Sequence, residues 1–311
     1  MSTTPPAATP ATPPTASPTA TRLVLRDGTT LQLEQYGDPA APVTVLLMHG
    51  WTLDSRTWRH QVEHLPLSCG RPVRVLAYDH RGHGRSDPVL PAGATVAQVA
   101  DDLAEVLARA APDGPVVLVG HSLGGMAIMA LAEQHPRVVA DRVAAVALVA
   151  TSAGGLAEIT LDLPPRLAPL RPWLEGAFNR RMLARGERPG RIPPGLLHLG
   201  VRWLGFGRPA VPADVRAATQ MIAGCSPYTL AAFRQTLDDH ERTAVLPRLA
   251  GRPVLVCGGA RDRLTPAVHS WRIAGAIPGA ELVVYGGVGH MIPLERADDL
   301  TRRLAALVRA V

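Results

Sequence analysis

The sequence contains no lysine: all 32 of its basic residues are arginine, against 26 acidic ones, for a formal net charge of +6. A basic excess of this size raises nucleic acid as a partner. The arginines are scattered along the chain rather than gathered on one helix or stripe, so no nucleic-acid partner is expected. Cysteine is equally scarce. Cys69, Cys225 and Cys257 are odd in number, widely spaced and without a CxxC pair, which argues against a disulfide framework or a zinc site, and no metal is expected. Aromatic residues make up only 4% of the chain. No apolar run reaches the ~18 residues that span a bilayer, so no membrane partner is expected. The first twenty residues, almost all Pro, Thr, Ala and Ser, have neither a basic start nor an apolar run, so a secretory signal is not expected and a cytoplasmic location is the default. Their composition cannot offset chain entropy by burial, which makes residues 1–20 a disordered tail.

What is present fits a globular protein of one large or two smaller domains, with 47% apolar and 19% charged residues in 311. Asp27-Gly28 sits between alternating segments as a hairpin would. Short apolar runs follow at 43–50, 73–80, 115–122, 143–150, 253–259 and 280–287, the pattern of strands buried on both faces. Helical patterns separate them at 55–65, 95–110, 123–135 and 265–277, and another closes the chain. Strands alternating with helices predict an α/β fold, a mostly parallel central sheet covered on both faces. One stretch, residues 151–252, shows helix-like pieces and no convincing strand. We read 21–150 and 253–311 as the core, and 151–252 as a helical cap inserted after the sixth strand.

The run Val116-Val117-Leu118-Val119 ends in Gly120-His121-Ser122-Leu123-Gly124 and passes directly into a helical pattern. Glycines on either side of a serine at a strand-to-helix junction match the G-x-S-x-G nucleophile elbow. A sharp, strained turn lifts the hydroxyl above the sheet edge. Gly120 and Gly124 supply hydrogens where a Cβ would collide with a neighbouring strand or helix.

A serine hydroxyl is a weak nucleophile and needs a base, which in turn needs an orienting acid. Eleven histidines are available. His60, His64, His135 and His269 fall within helical patterns and read as structural. His290 lies in the glycine-rich loop after the last strand, at the same sheet edge as Ser122. Asp262 lies just past the seventh strand, while the loop after the sixth, Thr151-Ser152-Ala153-Gly154-Gly155, has no carboxylate. Ser122, Asp262 and His290 are therefore the candidate catalytic residues. The backbone N–H groups of Leu123 and Trp51 are the candidate oxyanion donors. His121 points away from the serine and reads as a packing or hydrogen-bonding residue.

From about Thr21 onward the chain resembles the α/β-hydrolase superfamily, in its serine-nucleophile, carboxylesterase- and lactonase-like branch. The resemblance rests on His49-Gly50-Trp51, the run Tyr78 to Asp87, Val119 to Gly125, Gly259 to Pro266 and Gly287 to Glu295. It implies no cofactor and a structural role for Asp79 to Gly84, with His83 close to the cap. It also implies cleavage of a small or medium carboxylic ester, lactone or thioester through an acyl-enzyme. Acyltransferase, thioesterase, cyclase or carbon–carbon bond hydrolase chemistry on the same triad are the alternatives; a non-catalytic ligand-binding protein is a further one. Within the cap, Trp173, Phe178, Trp203, Phe206, Met221 and Phe233 are the candidates for lining an acyl pocket.

Overall fold

The computed structural model describes residues 18–158, 171–186 and 193–311. Eight strands form one sheet: β1 (Thr19–Val24), β2 (Thr30–Gly37), β3 (Thr44–Met48), β4 (Arg74–Tyr78), β5 (Val116–His121), β6 (Val143–Val149), β7 (Val254–Gly259) and β8 (Glu281–Tyr285). Their spatial order is β1-β2-β4-β3-β5-β6-β7-β8. The β1–β2 and β2–β4 pairs are antiparallel and every other pair is parallel. β1 starts at Thr19, so the last two residues expected in the tail, Thr19 and Ala20, pair with Gln35 and Glu34 instead. Residues 1–17 of that tail lie outside the described residues.

Alternation along the parallel strands explains why their sequences are continuously apolar. Leu46, Met48, Val116 and Leu118 face one core layer, packed under α2 (Val96–Ala110), α3 (Leu123–Gln134) and α9 (Ala267–Ala276). Val45, Leu47, Val117 and Val119 face the other, under α1 (Arg59–Ser68) and α11 (Ala297–Arg309). Both faces are buried, so neither can carry polar side chains. Two short helices, α4 (Pro136–Arg142) and α10 (Ile292–Glu295), complete the core. No helix among the described residues is long and apolar enough to cross a membrane.

Between β6 and β7 the described residues form α5 (Arg171–Arg185), α6 (Pro194–Gly205), α7 (Pro212–Gly224) and α8 (Pro227–Asp238). Val201, Phe206, Val215, Ala218 and Met221 from this segment pack with Leu53, Met291 and Leu294 of the core.

Chain order moves left from β3 to β4, then to the right of β3 at β5. That switch opens a crevice beyond the carboxyl ends of β3 and β5, where α/β sheets place their ligands. Close backbone packing forms its floor. A Cβ on Gly124 would stand 2.5 Å from Met48 O, and one on Gly120 would overlap the backbone of Gly124. Gly124→Val is therefore expected to force α3 off β3 and cost upward of about 1–3 kcal/mol in urea unfolding. Gly275→Ala in α9, where nothing lies within 4 Å of the added Cβ, is expected to be neutral or to stabilise by about 0.5–1 kcal/mol.

Candidate active site

Ser122 joins β5 to α3 with φ 52° and ψ −114°, a backbone region that non-glycine residues occupy only when the surroundings enforce it. Its N–H donates to Val149 O at 2.9 Å. Its carbonyl accepts from the N–H groups of Gly125 and Met126 at 2.9 and 3.1 Å, and from the Thr151 hydroxyl at 2.7 Å. Gly50 closes the other side: a Cβ there would lie 2.9 Å from His121 Nδ1 and 3.1 Å from Ser122 Cβ. Leu123 holds the first helical position of α3, so its N–H has no partner within the helix.

The loops after β7 and β8 bring Asp262 and His290 together. His290 Nδ1 lies 2.8 Å from Asp262 Oδ2, with the carboxylate fully buried and the imidazole nearly so. Asp262 is held from its own loop: Oδ1 accepts from the N–H groups of Leu264 and Thr265 at 2.8 and 2.9 Å, and the Thr265 hydroxyl donates to Oδ2 at 2.8 Å. With Nδ1–H directed at the carboxylate, His290 Nε2 is left as an acceptor. Thr265 was not read as a site residue, although Asp-x-x-Thr is a local hydrogen-bonding signature visible in the sequence.

His290 is also fixed through its backbone. Its N–H donates to Gly205 O at 2.8 Å, at the end of α6, and Met291 N–H donates to the same oxygen at 3.0 Å. Glu295 braces this contact by accepting from Gly207 N–H at 2.7 Å and Gly289 N–H at 2.9 Å. From the opposite side, His121 Nε2 lies 2.9 Å from His290 O. His121, expected to pack or hydrogen-bond, does so on the loop after β8.

Beneath the elbow lies a group of buried imidazoles. His49 Nδ1 donates to Gly50 O at 2.8 Å while its Nε2 accepts from His80 N–H at 2.9 Å, which assigns its tautomer. The His49 and His80 ring centroids are 4.3 Å apart, and His83 packs on Phe233 of α8 at 5.4 Å, so His83 does reach the inserted segment. Asp79 accepts from the N–H groups of Ser55 and Arg85 at 2.7 and 2.9 Å, which gives it a structural place in its loop.

A cavity of about 610 Å³ stands over these residues, with Ser122, His290, Thr265, Trp51 and Thr52 in its wall. The rest of the lining comes largely from the inserted helices and is mostly apolar: Phe178 of α5, Leu196, Val201 and Leu204 of α6, and Ile222 of α7, with Asn179 and Arg234 as polar exceptions. Of the six aromatic and methionine residues expected here, Phe178 alone is in the wall. Phe206 and Met221 are spent in the cluster that seats α6 and α7 on the core. Phe233 is fully buried in the main core against His83. Trp203 lies under the Arg263 guanidinium, 5.1 Å from its centroid, and Trp173 is 68% exposed. Leucine and valine of α6, unmarked in the sequence, take their place.

Burial holds the imidazoles of His49 and His80 neutral well below their ordinary range, and depresses His83 to about 4 and His121 to about 3. Among the described residues, His80 Nδ1, His83 Nε2 and His121 Nδ1 have no hydrogen-bond partner, so a second proton would have no acceptor. The unfolded chain takes up these protons near pH 6.5 and the folded chain does not. Stability is therefore level above pH 6.5. It is expected to fall below that by up to about 1.4 kcal/mol per pH unit per histidine, until the folded values near 4 or lower are reached. The urea midpoint at pH 7.5, 6 and 5 measures this, and a level midpoint across that range would contradict it.

The family model for the alpha/beta hydrolase fold matches residues 43–297. A bifunctional esterase/perhydrolase of Acinetobacter calcoaceticus is 28% identical over 293 residues, covering 92% of this chain and 98% of its own. Among solved structures, a thermophilic esterase from Thermogutta terrifontis superposes with a TM-score of 0.72 at 27% identity, over 94% of this chain and 98% of that one. The enol-lactonase of Burkholderia xenovorans LB400 shares the fold, with a TM-score of 0.74 at 23% identity over 93% and 99% of the two chains. Matched over most of its length and similar to named esterases, the chain belongs to the α/β-hydrolase family and is an enzyme of its esterase-like branch.

Proposed function

We propose that the enzyme is a serine hydrolase that cleaves a small or medium carboxylic ester or lactone through an acyl-enzyme on Ser122. The observation that carries this reading is the buried Asp262–His290 pair opening on the same cavity wall as the strained Ser122. His290 Nε2 takes the Ser122 proton as the oxygen attacks the carbonyl carbon. The tetrahedral oxyanion is held by the N–H groups of Leu123 and Trp51. His290 then protonates the leaving alcohol, and later activates the water that releases the acid and regenerates Ser122. Asp262 keeps the imidazole in the Nδ1–H tautomer and stabilises the imidazolium. Residues 151–252 act as the cap that shields this reaction from bulk water. Their apolar contribution to the wall supports an acyl pocket.

A fluorophosphonate probe is expected to label Ser122, and Ser122→Ala to abolish labelling and lower kcat by up to about 10⁶, as in comparable triads. Asp262→Asn is expected to keep the fold and lower kcat by roughly 10⁴, because the imidazole would then favour the wrong tautomer. Labelling of a different serine with activity intact would overturn the assignment.

For p-nitrophenyl esters, each methylene added to the acyl chain is expected to raise kcat/KM by up to about fourfold, the equivalent of ~0.8 kcal/mol of burial, until the cavity is full. A profile independent of chain length would remove the acyl role from the cavity.

A further inference from the structure

The charge of the chain is unevenly placed. Residues 151–252 carry 14 arginines against 8 acidic residues, so the whole excess of +6 belongs to this segment, and the remainder balances at 18 of each sign. Part of that excess is focused at one place. A cavity of about 170 Å³ is lined by Arg202 and Trp203 of α6, Arg208 just beyond it, and Arg261 and Arg263 of the loop after β7, with no acidic residue among the described residues of its wall. An adjoining opening of about 420 Å³ shares Arg261 and Arg263 and adds Ala260 and Gly287.

Arg202, Arg208 and Arg261 have no side-chain hydrogen bond or ion pair among the described residues. Arg263 is held in place, donating to Trp203 O at 2.7 Å with its guanidinium over the Trp203 ring. The two neighbouring carboxylates are committed elsewhere: Asp262, between Arg261 and Arg263 in the chain, to Leu264, Thr265 and His290, and Glu295 to the N–H groups of Gly207 and Gly289. Arginines grouped around one small space without an acidic partner in its described wall raise the local positive potential. An anion that accepts from several forks at once relieves this, and a phosphate group is of matching size and geometry.

The position of the cavity relative to Ser122 restricts what can carry that anion. α6 separates the two spaces: Leu196, Val201 and Leu204 face the catalytic cavity, whereas Arg202 and Trp203 face the arginine cavity. The loop after β7 divides in the same way, with Arg261 and Arg263 outside and Leu264 and Thr265 inside. A helix with its side chains is roughly 10–12 Å across. A phosphate attached directly to the reacting carbonyl cannot reach both spaces, but one on a long flexible arm can.

We propose that, besides the oxygen esters of the proposed reaction, the enzyme takes a further substrate, an acyl thioester carried on a phosphopantetheine-type arm, whose phosphate end binds in the arginine cavity. This rests on the reading of Ser122 as nucleophile and extends it. Ser122 Oγ forms the new acyl C–O bond as the C–S bond breaks, and the thiolate leaves with the proton held by His290. Water then returns the free acid, so thioester and water give acid and thiol.

The test compares butyryl-coenzyme A with butyryl-N-acetylcysteamine, which has the same thioester and no phosphate. The wild-type enzyme is expected to favour the coenzyme A thioester by at least tenfold in kcat/KM, with the preference shrinking as salt rises, and with free coenzyme A acting as a competitive inhibitor. In Arg202→Gln/Arg208→Gln the ratio between the two substrates is expected to fall at least tenfold. Equal kcat/KM for the two thioesters in the wild type, or a ratio unaltered in the variant, would overturn the proposal while leaving hydrolysis by Ser122 standing. Absence of turnover for both thioesters and for p-nitrophenyl butyrate, with Ser122 unlabelled, would remove both readings together.

Discussion

The site depends on the close approach of three backbones, β3, β5 and α3, at Gly50, Gly120 and Gly124. With side chains at these positions the helix would stand off the sheet, and the turn at Ser122 could relax into an ordinary conformation. Contact between α3 and Met48 O holds the strained φ, and hydrogen bonds to Val149 O and from Thr151 brace the same turn across β6. The strained turn sets Ser122 in the cavity wall at the sheet edge. The cost of order 1–3 kcal/mol is spread over a core buried on both sheet faces.

Around this turn the polar groups form a graded set. Asp262 is saturated by two backbone N–H groups, a threonine hydroxyl and His290, so its buried oxygens are all partnered. The histidines beneath the turn are the reverse case, buried without compensating charge and therefore neutral. They work as rigid hydrogen-bonding wedges: His49 between Gly50 O and His80 N–H, His121 against His290 O. Held by its carbonyl, its N–H and its ring at once, His290 has little freedom to drift from its place in the cavity wall.

The inserted helices take part in this arrangement as more than a cover. The end of α6 accepts from the backbone of both His290 and Met291, and Glu295 ties Gly207 to Gly289. The same short stretch, Gly205 to Arg208, therefore touches the loop after β8, the apolar cavity and the arginine cavity. A substitution that shifts α6 is bound to move His290 and reshape both cavities together.

The strand positions, the sharp turn at Ser122 and the candidate acid and base were legible because each is written in a short contiguous pattern: a β-branched run, a Gly-x-Ser-x-Gly turn, a charged residue just past a strand. The hydrogen bond of Thr265 to Asp262 was legible too, through Asp-x-x-Thr, and went unread. The cavity wall was not legible. Size and aromatic character nominated Phe206, Met221 and Phe233, but a large apolar side chain serves equally well to seat a helix on a core, and these three do so. Which face a cap helix turns toward Ser122 follows from contacts between segments far apart in the chain. Leu196 and Leu199 differ little in sequence, yet one lines the catalytic cavity and the other the arginine cavity. The sequence by itself determined the strands, their alternation with helices and the turn at Ser122, since local sterics and periodicity act over a few residues. Only the tertiary structure decided the pocket and the gathering of Arg202, Arg208, Arg261 and Arg263, because these are settled by packing across the fold.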